Sequence, residues 1–408
     1  MRGRGTRLAV YVLAALLGGC SAGPHPMTVE RALERESLPL PLADAASVDG
    51  TVLLRVEAAA PPRVVAWTSD GGAKGYTIEV PTGKGSAIEC ALAPNISSSA
   101  SFWRSVHGEL HGGVLQNPRL VATDAGAMVD HPFLYLEVAG TVVQDGENRT
   151  RIVKYLAVGI GNGTLLCSHP VVGYRETFKR IVSGLVANLR APGVQDELPL
   201  TYHEIEAMKI QDRALGFADL RYFSLGPQGH LAAKRTSLVI PRSPADWLVL
   251  DSLRVERSAA DGTITQAADS RTSGDEQERD LALIRDGTGY RVDGTLSGKA
   301  VHADLPHTKP VPDDIDAARR LRETVLNNGP WPLSLPQWSP DVNPLAITDA
   351  SLGCQPGDTV GAASCEMKAG TSNLRFSADE VGRPRIITLS GPNGITITLE
   401  RVFVRGHL

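Results

Sequence analysis

Three stretches carry residue types and spacings that could do chemistry. HGELH, His107 to His111, places two histidines four apart. On a helix they would share one face, a spacing that suits a metal ion. The HExxH arrangement of metal-dependent hydrolysis needs glutamate second, and here it stands in the middle. Gly108, Gly112 and Gly113 oppose a stable helix, so a surface loop is the plainer reading. PTGKGSAIE fails as a phosphate loop: Gly85 occupies the hydroxyl position, and no glycine stands at the required upstream spacing. Ser168 and His169 are adjacent, and neighbours on a strand point to opposite faces, which works against a catalytic dyad. SxxK and an EF-hand loop are both missing from the sequence. A triad assembled from distant residues is recognised by geometry and stays open. No metal or cofactor is expected.

The first residues speak to location instead. Arg2, Arg4 and Arg7 precede the apolar run Leu8 to Leu17. That run is too short for a hydrocarbon layer that needs about 20 helical residues, and its pattern is that of a cleaved export signal. Leu17-Gly18-Gly19-Cys20 resembles the lipobox of bacterial lipoproteins. The resemblance implies a lipid on Cys20, with acyl chains of the palmitate kind, anchoring the protein to a membrane. Each buried methylene contributes about 0.8 kcal/mol, and two or more chains make anchoring stable. Ser21, in place of the aspartate of the enteric retention rule, implies the outer membrane, facing the periplasm.

An exported chain favours disulfides, and Cys90, Cys167, Cys354 and Cys365 remain to form them. Of three connectivities, Cys90–Cys167 and Cys354–Cys365 keep each bond inside one expected domain. Closing those loops contributes roughly 4 and 3 kcal/mol in the chain-entropy model. No CxxC pair suggests zinc instead. The formal charge of −4 becomes about −7 without the three leader arginines, which argues against nucleic acid as a partner.

These features need elements to hold them. A mature chain of about 390 residues exceeds one ordinary core, so two domains are expected. The reading is a signal peptide over 1–19, a tether over 20–46, an α+β domain over 47–192, a linker over 193–199 and a β-rich domain over 200–408. A short helix is expected within the tether, at Thr28 to Glu36, and another at SFWRSVHGEL. In the first domain, TVLLRVEA, RVVAWTSD, YTIEVP, FLYLEVAGTVVQ, RIVKYLAVGIG and TLLCSHP read as strands. DGEN between the two longest is the best hairpin signal. Phe178, Ile181, Val182, Leu185, Val186 and Leu189 make a complete helical face that should lie across that sheet. Thr201 to Leu215 reads as a connecting helix. Beyond it come short strands, with one helix at Asp313 to Asn328, forming a curved antiparallel sheet or open barrel.

GPWPLSLPQWSPDVNP sets Trp331 and Trp338 among five prolines. Proline stiffens this frame, and the tryptophans either pack the open end of the β-domain or meet a ligand or partner. The leading functional expectation is a non-enzymatic envelope lipoprotein binding an apolar ligand or another envelope protein. The alternative is a lipid-tethered hydrolase acting on cell-wall or envelope material. Converging titratable side chains inside the β-domain would favour the enzyme, and an apolar cavity the binding protein.

Overall fold

A computed structural model describes residues 37–45, 54–68, 72, 74–83, 87–93, 115–161, 163–189, 198–243, 246–274, 276–306, 309–357, 362–369, 372–379, 381–390 and 396–406. Cys20, the tether helix, SFWRSVHGEL, HGELH and the loop after Ser390 lie outside the described residues. The chain divides into two units: Met1–Asp124, Met128–Asp196 and Ile240–Leu248 form the first, and Ala125–Ala127, Glu197–Val239 and Val249–Leu408 the second.

In the first unit β1 (Leu42–Ala45) pairs with β2 (Leu54–Glu57). Seven further strands follow: β3 (Arg63–Thr68), β4 (Lys74–Val80), β5 (Ile88–Ala93), β6 (Gln116–Met128), β7 (His131–Gln144), β8 (Glu147–Ile160) and β9 (Gly163–His169). They form one sheet in the order β3-β4-β5-β9-β8-β7-β6. Asp145 and Gly146, both at positive φ, close the β7–β8 hairpin in two residues, the geometry that matches strand twist. Helix α1 (Arg175–Asn188) follows β9, and its Phe178, Ile181, Val182, Leu185 and Val186 are buried, with Leu189 just beyond its end. They pack with Ile78, Ile88, Leu92, Leu156 and Leu165 of the sheet. Burying six such side chains contributes on the order of 10 kcal/mol before entropy is subtracted. Cys90 and Cys167, directly opposed on β5 and β9, are disulfide-bonded within this core.

The second unit opens with a correction. Thr201 to Leu215 is not a helix: it lies in the hairpin of β10 (Leu200–Ile210) and β11 (Arg213–Ser224). Gln211 and Asp212, both at positive φ, make the turn. Ladder bonds on both sides of β10 outweigh the local helix preference of its alanine, glutamates and methionine. The meander continues through β12 (His230–Ser243), β13 (Asp246–Ser258), β14 (Ile264–Ser273), β15 (Glu276–Asp286), β16 (Gly289–Leu296) and β17 (Lys299–Leu305). Helix α2 (Asp314–Leu326) intervenes, capped by the Asp313 carboxylate, which accepts from the Asp316 amide at 2.8 Å. Then come β18 (Leu333–Trp338), β19 (Ile347–Pro356), β20 (Ala363–Ala369), β21 (Ser372–Ala378), β22 (Pro384–Ser390) and β23 (Thr396–Gly406).

Strand β23 returns to pair with β10, so one antiparallel sheet of 14 strands runs from β17 to β18. Among the described residues its edges are not hydrogen-bonded to each other, and the sheet is not closed into a barrel. Side chains from opposite ends nevertheless meet: Trp338 of β18 packs in one cluster with Ile264, Leu283, Val292 and Leu305. The Asp341 carboxylate accepts from Arg271 at 2.7 Å and Arg279 at 2.8 Å. Cys354 and Cys365, opposed on β19 and β20, form the second disulfide. The described residues are mostly β, with two α-helices among them. The α+β expectation therefore narrows to a mainly antiparallel β protein, because Thr201–Leu215 and segments such as Gln116–Met128, read otherwise or not at all, are strands.

Candidate functional site

Alternate residues of β10 explain what the second unit holds inside. Tyr202, Glu204 and Glu206 point one way, and His203, Ile205 and Ala207 the other. The register places Tyr222 opposite Tyr202, Leu220 opposite Glu204, and Lys234 of β12 opposite Leu220. Directly opposed residues share a face. Tyr202, Glu204, Glu206, Tyr222 and Lys234 therefore line one side of three neighbouring strands. The reverse side carries its own pair: His203 and Asp219 meet at 2.7 Å beside Arg221. Burial raises Asp219, but Arg221 and His203 outweigh it and hold the carboxyl below its ordinary range.

Two close approaches bring α2 and Arg383 to the charged face. Gly262, at positive φ, lies so near Asp316 that a β-carbon would stand 2.6 Å from that side chain, and its carbonyl accepts from the Asp313 amide at 2.9 Å. Asp313 also bonds His230 of β12, which fixes the helix start over that strand. Gly382, also at positive φ, abuts the Ala318 carbonyl of α2, where a β-carbon would sit 2.3 Å away. The next residue, Arg383, is thereby held between helix and sheet.

Some of the charges are paired. Glu204 is 2 % exposed; it accepts from the Tyr202 hydroxyl and from Arg383 at 3.2 Å, with Arg401 4.0 Å away. Arg401 also donates to Asp379 at 2.6 Å. On β13, Arg254 Nε donates to Glu256 at 2.6 Å. Burial raises the Glu256 carboxyl despite that partner, with Asp314 adding to the rise.

Four polar groups are not paired. Among the described residues, Glu206, Lys234 and Asp314 make no hydrogen bond and no ion pair within 4 Å, and the Tyr222 hydroxyl is buried without a hydrogen-bond partner. Tyr222 is 0 % exposed and Glu206 7 %. Lys234 is half-buried, and Asp314 is exposed at the start of α2. Lys234 and Asp314 act electrostatically on Glu206, Lys234 acts on Asp314, and Asp314 acts on Tyr222. Burial raises Glu206, Lys234 and Arg383 oppose the rise, and Glu204 and Asp314 reinforce it. The surrounding protein desolvates Asp314 and pushes it up, but Lys234, Arg383 and Arg254 outweigh this and hold the carboxyl below its ordinary range. Burial, then Asp314, pushes the Tyr222 phenol well above its usual value. Two carboxyls shifted oppositely, an ammonium and a hydroxyl can bind a polar group from several sides or move a proton.

The residues singled out in the sequence lie elsewhere. Trp338 is 1 % exposed, and its indole N–H donates to the Pro344 carbonyl at 2.9 Å. The Arg254 guanidinium stands over its ring at 5.3 Å. The one polar atom of the indole is already bonded and its ring is packed into a core cluster, so the contact expectation for Trp338 is corrected to packing. Trp331 is half-buried against the cluster around Leu335, Cys354 and Cys365. His169 stacks on Phe178 in the first unit, and Ser168 is buried on the opposite side of β9. The charged interior was missed. Its signal was the alternation of Tyr202, Glu204 and Glu206, which a helical reading of Thr201–Leu215 concealed.

No family model matches the chain, and no curated protein matches it. Among solved structures, it is similar to a crystal structure of a β-barrel-like protein of the domain of unknown function DUF1849 from Brucella abortus. The identity is 10 %, the TM-score 0.40, and the match covers 52 % of this chain and 99 % of that one.

Proposed function

We propose that this is a lipid-anchored protein of the bacterial cell envelope whose second unit binds a small polar ligand inside a curved, open barrel. The anchor is the lipid on Cys20, and the function is binding without catalysis. One observation carries the reading: Glu206, Lys234, Asp314 and Tyr222 gather about one charged face with none of their hydrogen bonds made by the described residues. Of these, Glu206 and the Tyr222 hydroxyl are buried; an unpaired buried polar group costs on the order of a few kcal/mol, and a polar occupant recovers that cost. An apolar ligand would strip water from the same groups and return nothing, so the ligand is polar. Curvature of the 14-stranded sheet agrees with the packing of Trp338 against β14 to β17.

Two measurements test the two halves. Cys20→Ser should abolish fatty-acid labelling and release the protein from membranes; unchanged labelling and fractionation would sink the anchor. Thermal shifts of the exported chain should follow polar probes and ignore fatty acids. Stabilisation by fatty acids that persists in Asp314→Asn would defeat the polar site.

The oppositely shifted Glu206 and Asp314 support a second reading, a hydrolase of envelope material with Glu206 as acid and Asp314 as base. It requires that Glu206→Gln and Asp314→Asn each abolish turnover of a peptidoglycan preparation while the melting temperature holds.

A further inference from the structure

The reading of this interior as a binding site leaves the ligand's chemistry to be found, and the unpaired groups bear on it. They are of both signs. Lys234 supplies an ammonium; Tyr222 supplies a hydroxyl; Arg383, already donating to Glu204 through one terminal nitrogen, has a buried Nε–H with no partner. Those three are donors fit for a carboxylate. Asp314 and Glu206 are carboxyls fit to accept from an ammonium. Lys234 and Asp314 do not satisfy each other, since no ion pair within 4 Å joins them.

From this arrangement we infer that the second unit binds a small zwitterion of the amino-acid type, its carboxylate toward Lys234, Tyr222 and Arg383 and its ammonium toward Asp314 and Glu206.

Other small ligands match fewer of these groups. A simple anion would meet Lys234 but face two carboxyls. A simple cation would meet Asp314 but face Lys234 with Arg254 and Arg383 nearby, the three cations that act on that carboxyl. A neutral sugar could bond all four groups, yet it would displace water from Asp314 and Lys234 without compensating either charge, and a desolvated charge is the costlier loss. A zwitterion compensates both and leaves the net charge of the interior unchanged.

The test is thermal shift and titration calorimetry on the exported full chain. The probes are the standard L-amino acids, D-alanine, D-glutamate and alanyl-alanine. N-acetyl-alanine and alaninamide, each lacking one charge, and the neutral N-acetylglucosamine are controls. A binding zwitterion should raise the melting temperature by about 5–10 °C at a hundredfold excess over its Kd. Its affinity should fall at least tenfold when either charge is blocked. Lys234→Met and Asp314→Asn should weaken binding tenfold or more, and Tyr222→Phe, which keeps the ring, should weaken it even if the charge variants fail to fold. Absence of a shift with every zwitterion overturns the inference. N-acetylglucosamine then separates the two levels: a shift with it alone leaves a polar site that takes sugars, and no shift with it either removes the polar site as well. Equal binding of alanine and its singly charged derivatives also overturns the zwitterion.

Discussion

Replacing Arg383 with methionine would remove the cation that ties the β21–β22 turn to β10. The Arg383 side chain is 6 % exposed and that of its partner Glu204 2 %, so solvent screens the pair little. Methionine keeps most of the volume, and what is lost is the charge opposite a buried carboxylate. Breaking such a pair from one side costs about 3–5 kcal/mol, because the remaining charge stays buried. Glu204 would keep the Tyr202 hydroxyl and Arg401 at 4.0 Å, which favours the lower half of that range. For a unit of about 200 residues each kcal/mol moves the melting temperature by about 2–4 °C, so a fall of about 6–16 °C is expected. Urea unfolding followed by circular dichroism at neutral pH measures the loss. The partner variant Glu204→Gln and the double variant complete a cycle, and the double variant should be more stable than the sum of the single losses implies. A loss below about 1 kcal/mol for Arg383→Met, or strict additivity in the cycle, would show that the interior charges are solvated and uncoupled, and the account of the site would fail.

Two further perturbations probe the frame. Trp338→Ala should cost roughly 3–5 kcal/mol, since the ring joins the two ends of the sheet, whereas Trp331→Ala, half-buried, should cost less; equal and small losses in chemical denaturation would contradict the packing. The hydrogen bond that His230 donates to the Asp313 carboxylate raises His230 above its ordinary value of 6.5 despite partial burial. The charged form is thus favoured in the folded state. The stabilisation it brings is fully present below about pH 6.5 and is lost as pH rises through the folded value. Melting temperature should fall across that window in the wild type and more weakly in His230→Gln; parallel profiles would remove the linkage.

The sequence by itself determined the elements whose information is local. The face Phe178 to Leu189 recurs at helical spacing, and any sheet beside it must bury that stripe. Asp145-Gly146 fits a two-residue turn because both residues tolerate positive φ, and Asp313 caps α2 through an amide three residues on. The cysteine pairing followed from keeping each bond within one domain, and both bonds join directly opposed residues of neighbouring strands.

What only the tertiary structure decided depends on partners far away in the chain. Thr201–Leu215 is a hairpin because β23, some 190 residues on, supplies ladder bonds that no window around β10 contains. Trp338 is core because the sheet brings β18 back against β14 to β17. Glu204 and Glu206 read in one dimension as solvated charges on a polar face; they are enclosed because Arg383 and α2 arrive from distant segments while Lys234 stands beside them on the same face. A carboxyl's chemistry is set by its desolvation and by the charges near it in space, and neither quantity is written in the residues beside it.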